Sequence, residues 1–170
     1  MRRSMICLSA GLLGAATLPM TAAPAATEAE AEHPEARPFD EARPALADVA
    51  MALARAALNR KRVLLVMGAN WCHDSRGLAG WFEMPRFAAM LDQRYELLFV
   101  DVGHPQEGEG RNIDIAQRFG IEEISGTPTV LILSPEGALL NPETARTWRN
   151  AASRTEDEIF TYFDAFEPEG

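Results

Sequence analysis

The chain has 170 residues, 47% of them hydrophobic and 24% charged, with a formal net charge of −9. That length fits one domain with a short extension, and it is enough to bury a sizeable core without relying on disulfides. The acidic balance argues against nucleic acid or an anionic membrane surface as the main partner.

At the N-terminus, Arg2 and Arg3 precede an apolar run over residues 5–20, and Ala23-Pro24-Ala25 offers a small-x-small cleavage site. This pattern predicts a cleaved secretory signal peptide over residues 1–25, because the run is short for a membrane span. Cleavage removes two positive charges and no acids, so the charge becomes −9 − 2 = −11. It also removes Cys7 and leaves Cys72 as the one cysteine of a periplasmic or secreted protein, with no membrane attachment. Such a cysteine has no internal disulfide partner and points to intermolecular pairing or a reactive thiol; the plain alternative is a buried, inert side chain. Residues 26–39, rich in Glu, Ala and Pro, read as a flexible acidic linker, and the folded domain is expected over 40–170.

Asp40 is a candidate cap for a helix over 42–60, where Leu46, Val49, Leu53, Ala57 and Leu58 fall near helical spacing. The apolar run "RVLLVMGA", 62–69, suits a strand buried on both faces. Helical spacing resumes over 73–82, and Pro85 fits the first turn of a second helical piece, 85–95. "ELLFVDV", 96–102, is a second buried strand, and 103–112 is a Gly-rich polar loop. A short helix follows over 113–120, with Asn112 as a possible cap and Gly120 as its stop. "GTPTVLIL", 126–133, gives a third strand, and a turn at 134–137 leads to a short one near 138–140. Residues 141–153 read as irregular, with Trp148 on a solvated turn. The last helix starts at Thr155, whose spacing to Glu158 is that of a capping box. The βαβ alternation predicts parallel strands with helices on both faces, plus an antiparallel edge from the hairpin after residue 134.

Two stretches carry the chemistry. "VLLVMGANWCHDS", 63–75, resembles the active-site strand and turn of the thioredoxin superfamily, and "GTPTVLIL" resembles the segment around its cis-proline. The resemblance covers roughly residues 40–166. "WCH" and the extra helical piece at 85–95 look most like exported domains related to the thiol reductase domain of bacterial electron-transfer proteins. It implies an α/β thioredoxin-like fold, a central mixed sheet with helices on both faces. It also implies that Cys72 is the nucleophile and that Thr127 and Pro128 form a cis-proline edge where an extended substrate docks. Taken alone, an X-Pro bond at a strand start is ordinarily trans.

The residues supply their own reason for thiol chemistry. Cys72 falls at a strand-to-helix junction, where unpaired N–H groups and the helix dipole favour a thiolate. A protonated His73 would add to this and Asp74 would oppose it. Ser75, one turn on, is placed to donate a hydrogen bond to the thiolate. Trp71 is expected to shield one side of the thiol, or to be a core aromatic.

Two departures from the superfamily pattern qualify the resemblance. Ser75 stands where a resolving cysteine is expected, so a mixed disulfide on Cys72 needs an outside thiol for release. Val66 lies near the position of the buried acid that often assists proton transfer. The expected activity is therefore monothiol exchange with a cysteine-containing protein or a small thiol, needing no cofactor. A non-catalytic peptide-binding or chaperone-like module is the alternative. His33, His73 and His104 with Cys72 match no common zinc spacing, and the loop 103–112 lacks the order of a phosphate loop.

Overall fold

The computed structural model describes residues 34–166. The expected signal peptide with its cleavage site, Cys7, His33 and the acidic stretch up to residue 33 lie outside the described residues.

Three strands form the central sheet, in the order β2-β1-β5. Strand β1, Arg62–Gly68, lies in the middle. It pairs in parallel with β2, Tyr95–Asp101, and antiparallel with β5, Thr129–Leu133. The sheet's side chains alternate between two cores, as the pleat requires. Leu64, Val66, Val130 and Ile132 face one core, and Val63, Leu65, Met67, Leu131 and Leu133 face the other. Both faces are covered by helices, which is why β1 and β5 read as continuous apolar runs.

Helix α1, Ala45–Asn59, and the short α4, Ile113–Arg118, cover the second face with aliphatic side chains. Helices α2, His73–Glu83, α3, Pro85–Arg94, and α5, Glu156–Asp164, cover the first face, where most of the aromatic side chains gather. Pro85 opens α3, and Thr155 with Glu158 forms the expected capping box of α5. Asp40 is not the cap of α1. Pro44 holds that position, while Asp40 Oδ1 accepts from Ala42 N–H in a turn before the helix.

Strand β5 corrects the expected parallel order, because it runs antiparallel to β1. The physical reason lies in α4. Six residues advance about 9 Å, well short of the roughly 23 Å of a seven-residue strand, so α4 does not carry the chain back to the start of β1. The chain enters β5 from the end where β1 and β2 finish. Residues 138–140 form no strand and contribute one isolated bridge, Leu133 to Leu139. The loop 103–112 contains two two-residue strands, β3, Gly103–His104, and β4, Glu109–Gly110, which pair with each other.

Two segments pack more tightly than expected. Residues 145–153 form a 3₁₀ segment whose Trp148 is fully buried, stacked on Phe163 at 4.8 Å, rather than solvated. Residues 34–39, the described end of the expected flexible linker, lie against the domain. Phe39 is 2% exposed within the aromatic core, and Ala36 N–H donates to the Arg76 carbonyl at 3.1 Å. Gly80 permits this approach. A Cβ there would stand 2.1 Å from the Pro34 carbonyl oxygen, closer than any real contact.

Candidate active site

Strand β1 ends at Gly68, and Cys72 is the N-cap residue of α2, with an extended backbone. The turn between them closes through Cys72 N–H to the Ala69 carbonyl at 3.1 Å. Gly68 has to be a glycine, because a Cβ would stand 2.5 Å from Ser75 Oγ and 2.9 Å from the Phe39 ring. Cys72 is a free, buried cysteine, 8% exposed, and its Sγ–H donates to the Thr127 carbonyl at 3.2 Å. The Thr127–Pro128 peptide bond is cis, and both residues are buried where the chain enters β5. Cys72, Thr127 and Pro128, separated by more than 50 residues of sequence, are thus brought to one point.

Ser75 is fully buried, but its Oγ accepts from Ala69 N–H at 3.5 Å and makes no hydrogen bond to Cys72. It supports the turn from behind. Trp71 is not a core aromatic. It is 47% exposed, donates from Nε1 to the Gly103 carbonyl at 3.0 Å and stacks on His104 at 4.8 Å. It therefore ties the 103–112 loop to the cysteine turn. Asp74 accepts from Ala152 N–H at 2.8 Å through Oδ1, so its carboxylate is engaged by the 3₁₀ segment. Val66 is fully buried. A shallow groove lined by Pro105, Gln106, Ile113, Glu123 and Ile124 reaches Ser125, two residues before Thr127. Among the described residues no cluster of three or more His, Cys, Asp or Glu side chains is placed to hold a metal ion.

Sequence reasoning missed the charged groups around the turn. The Arg76 side chain, 15% exposed, donates from Nη1 to the carbonyls of Trp71 at 2.9 Å and Asn70 at 3.2 Å. Its Nε and Nη2 donate to the two oxygens of Glu35, at 2.8 and 3.3 Å, in a bidentate fork. His73 Nδ1 lies 2.7 Å from Glu35 Oε1. The bond from Arg76, followed by that from His73, holds the Glu35 carboxyl below the usual carboxylate range, and the same bond raises Arg76 above its ordinary value. Arg37 also donates to the Asn70 carbonyl at 2.9 Å, and Asn70 exchanges hydrogen bonds with the backbone of Phe39 at 2.6 and 3.2 Å. The only sequence signal for these contacts is Phe39, a large apolar residue beside a polar stretch.

This arrangement defines a class, a lone thiol on a helix N-terminus facing a cis-proline edge. A thioredoxin-like family model matches residues 44–135, more than half of the chain, and the protein belongs to that family. No curated protein matches the chain in sequence. Among solved structures it is similar to a disulphide isomerase from Xylella fastidiosa Temecula1, with 28% identity and a TM-score of 0.69; the match covers 76% of this chain and 96% of that one. It also matches a Pseudomonas aeruginosa protein of unknown function at 20% identity and a TM-score of 0.39, over 71% of this chain and 81% of that one.

Proposed function

We propose that the protein is an exported thiol–disulfide oxidoreductase of monothiol type, working chiefly as a disulfide isomerase on cysteine-containing proteins. The observation that carries this reading is the Cys72 thiol, held at the N-terminus of α2 and 3.2 Å from the carbonyl that precedes Pro128. Family membership and the likeness to a disulphide isomerase support thiol–disulfide chemistry in general. The export part rests on the signal-peptide pattern of residues 1–25 and on a composition in which Cys72 has no partner within the mature chain.

In the first step the Cys72 thiolate, its proton released to solvent, attacks one sulfur of a substrate disulfide. The substrate S–S bond breaks, a Cys72–substrate disulfide forms, and the other substrate sulfur leaves as a thiolate. A second substrate cysteine then attacks the mixed disulfide, forms a new substrate disulfide and returns Cys72 as a thiolate. The rearrangement consumes no oxidant or reductant. A small external thiol in place of that cysteine attacks the same mixed disulfide. Attack at the Cys72 sulfur releases the substrate with both sulfurs as thiols and leaves the small thiol on Cys72; attack at the bonded substrate sulfur frees Cys72 as a thiolate and leaves the small thiol on the substrate. The docking role falls to the backbone at Thr127 and Pro128, against which an extended segment can lie.

The test is incubation of the full-length chain with oxidised glutathione, followed by mass spectrometry of the Cys72 peptide without reduction. The expected result is a glutathione adduct on Cys72, together with recovery of activity by a protein carrying scrambled disulfides. Both are abolished by C72S. If Cys72 stays free while the fold is intact, the binding-module reading takes over. Its low exposure and the commitment of Ser75 to Ala69 favour that second reading.

A further inference from the structure

We propose that Glu35 is a positioning residue for Cys72, acting through Arg76 to fix the 70–72 turn that presents the thiol. The inference rests on the monothiol reading above and adds to it a residue from outside the domain that the sequence delimits.

Arg76 occupies the first turn of α2, one helical turn after Cys72, and its backbone N–H donates to the Cys72 carbonyl at 3.1 Å. From there its guanidinium reaches back over the turn and holds the carbonyls of Asn70 and Trp71. Those two groups precede the cysteine and have no ladder partner; Arg76 satisfies the Trp71 carbonyl and shares the Asn70 carbonyl with Arg37, and so sets their direction. A guanidinium with four rotatable bonds does this only if something fixes its plane. The Glu35 carboxylate does so with the fork of 2.8 and 3.3 Å, a geometry that an arginine–carboxylate pair defines more sharply than a single point contact. Glu35 is itself held, because Ala36 next to it is tied to the Arg76 carbonyl and Phe39 is buried in the core. Residues 34–39, which strap across α2, the guanidinium and the turn thus form one closed loop of contacts around Cys72. His73, which also touches Glu35, is 63% exposed and lies at the rim.

Thiol exchange depends on the placement of the sulfur against the Thr127 edge, where small displacements cost rate steeply. The first measurement is site-resolved hydrogen exchange of the Cys72 and Arg76 amides in the full-length wild type, E35Q, E35D, R76A and the E35Q/R76A double variant. E35Q and R76A are each expected to speed exchange at these amides about tenfold, with the amides of β1 unchanged. The double variant is expected to be no faster than the faster single one, because both act through one contact. E35D, which keeps the charge and a two-oxygen acceptor, is expected within about twofold of wild type.

The second measurement is the rate at which Cys72 forms its glutathione adduct, expected to fall about fivefold in E35Q and to recover in E35D. Wild-type exchange rates in E35Q, effects that multiply in the double variant, or an unchanged glutathione rate in E35Q would each overturn the role of Glu35. A wild type that forms no adduct, but whose turn loosens in E35Q, overturns the monothiol reading and leaves the clamp standing.

Discussion

Asn141 shows how much one buried polar side chain carries in this fold. It is 4% exposed, donates from Nδ2 to the Val130 carbonyl and to Tyr162 Oη, and accepts from Ile132 N–H through Oδ1. It therefore completes the open edge of β5, where residues 138–140 make only one bridge. N141A would leave one buried N–H and one buried carbonyl without partners, and a loss of about 2–4 kcal/mol is expected in denaturant unfolding. At this scale the sequence announces some roles and conceals others. Cys72, Thr127 and Pro128 stand out because their types and neighbours form a pattern. Glu35 and Asn141 do not, because a carboxylate or an amide acquires its role from groups up to 41 and 21 residues away that only the folded chain brings near. Ser75 was readable as a neighbour of Cys72 one helical turn on. Its actual partner, Ala69 N–H, depends on how β1 turns into α2.

The strap at residues 34–39 is the element least visible beforehand. Its Glu- and Pro-containing composition matches solvated linkers, and its attachment relies on backbone contacts, on the side chains of Glu35 and Arg37, and on a single phenylalanine. It relies equally on the absence of a side chain at Gly80. G80A is therefore expected to push the strap off α2, with a loss of about 1–3 kcal/mol from overpacking. The Ala36 amide, bonded to Arg76 in the native protein, would then exchange much faster, whereas retained protection at Ala36 would show that the strap adapts to the extra methyl. The strands were visible as continuous apolar runs, since burial on both faces leaves no polar alternation. The direction of β5 was not, because apolar periodicity is the same read in either sense, and the deciding quantity is the reach of α4. The capping box at Thr155 was readable in full, being a wholly local device.

For the molecule as a whole, two ionisable groups give the stability profile opposite limbs. The Glu35 carboxyl titrates below its ordinary 4.5, so its contribution is present above that pH and is lost as pH falls through the lowered value. Burial pushes the Tyr95 hydroxyl above its ordinary 10.0, and that hydroxyl donates to the Phe163 carbonyl at 2.7 Å. The neutral tyrosine's contribution is therefore complete below pH 10 and is lost as pH rises beyond it. Strap protection at Ala36 is expected to weaken on the acid side before the core melts, and the Tm is expected to drop above pH 10. Y95F should flatten that alkaline drop, and an unchanged drop would place its origin elsewhere.

The division of the interior has an optical consequence. Both tyrosines, together with Trp81 and Trp148, belong to the aromatic core on the α2–α3–α5 side, and Trp71 sits at the active-site turn. The α1 side holds aliphatic residues, with Phe119 at its margin. Tryptophan and tyrosine fluorescence is accordingly blind to half of the protein. If α1 loosened from the sheet while the other layer held, the emission would still look native, and only methyl or amide probes would register the change. Agreement between fluorescence and a backbone probe through an unfolding curve is thus an informative check on cooperativity for this chain.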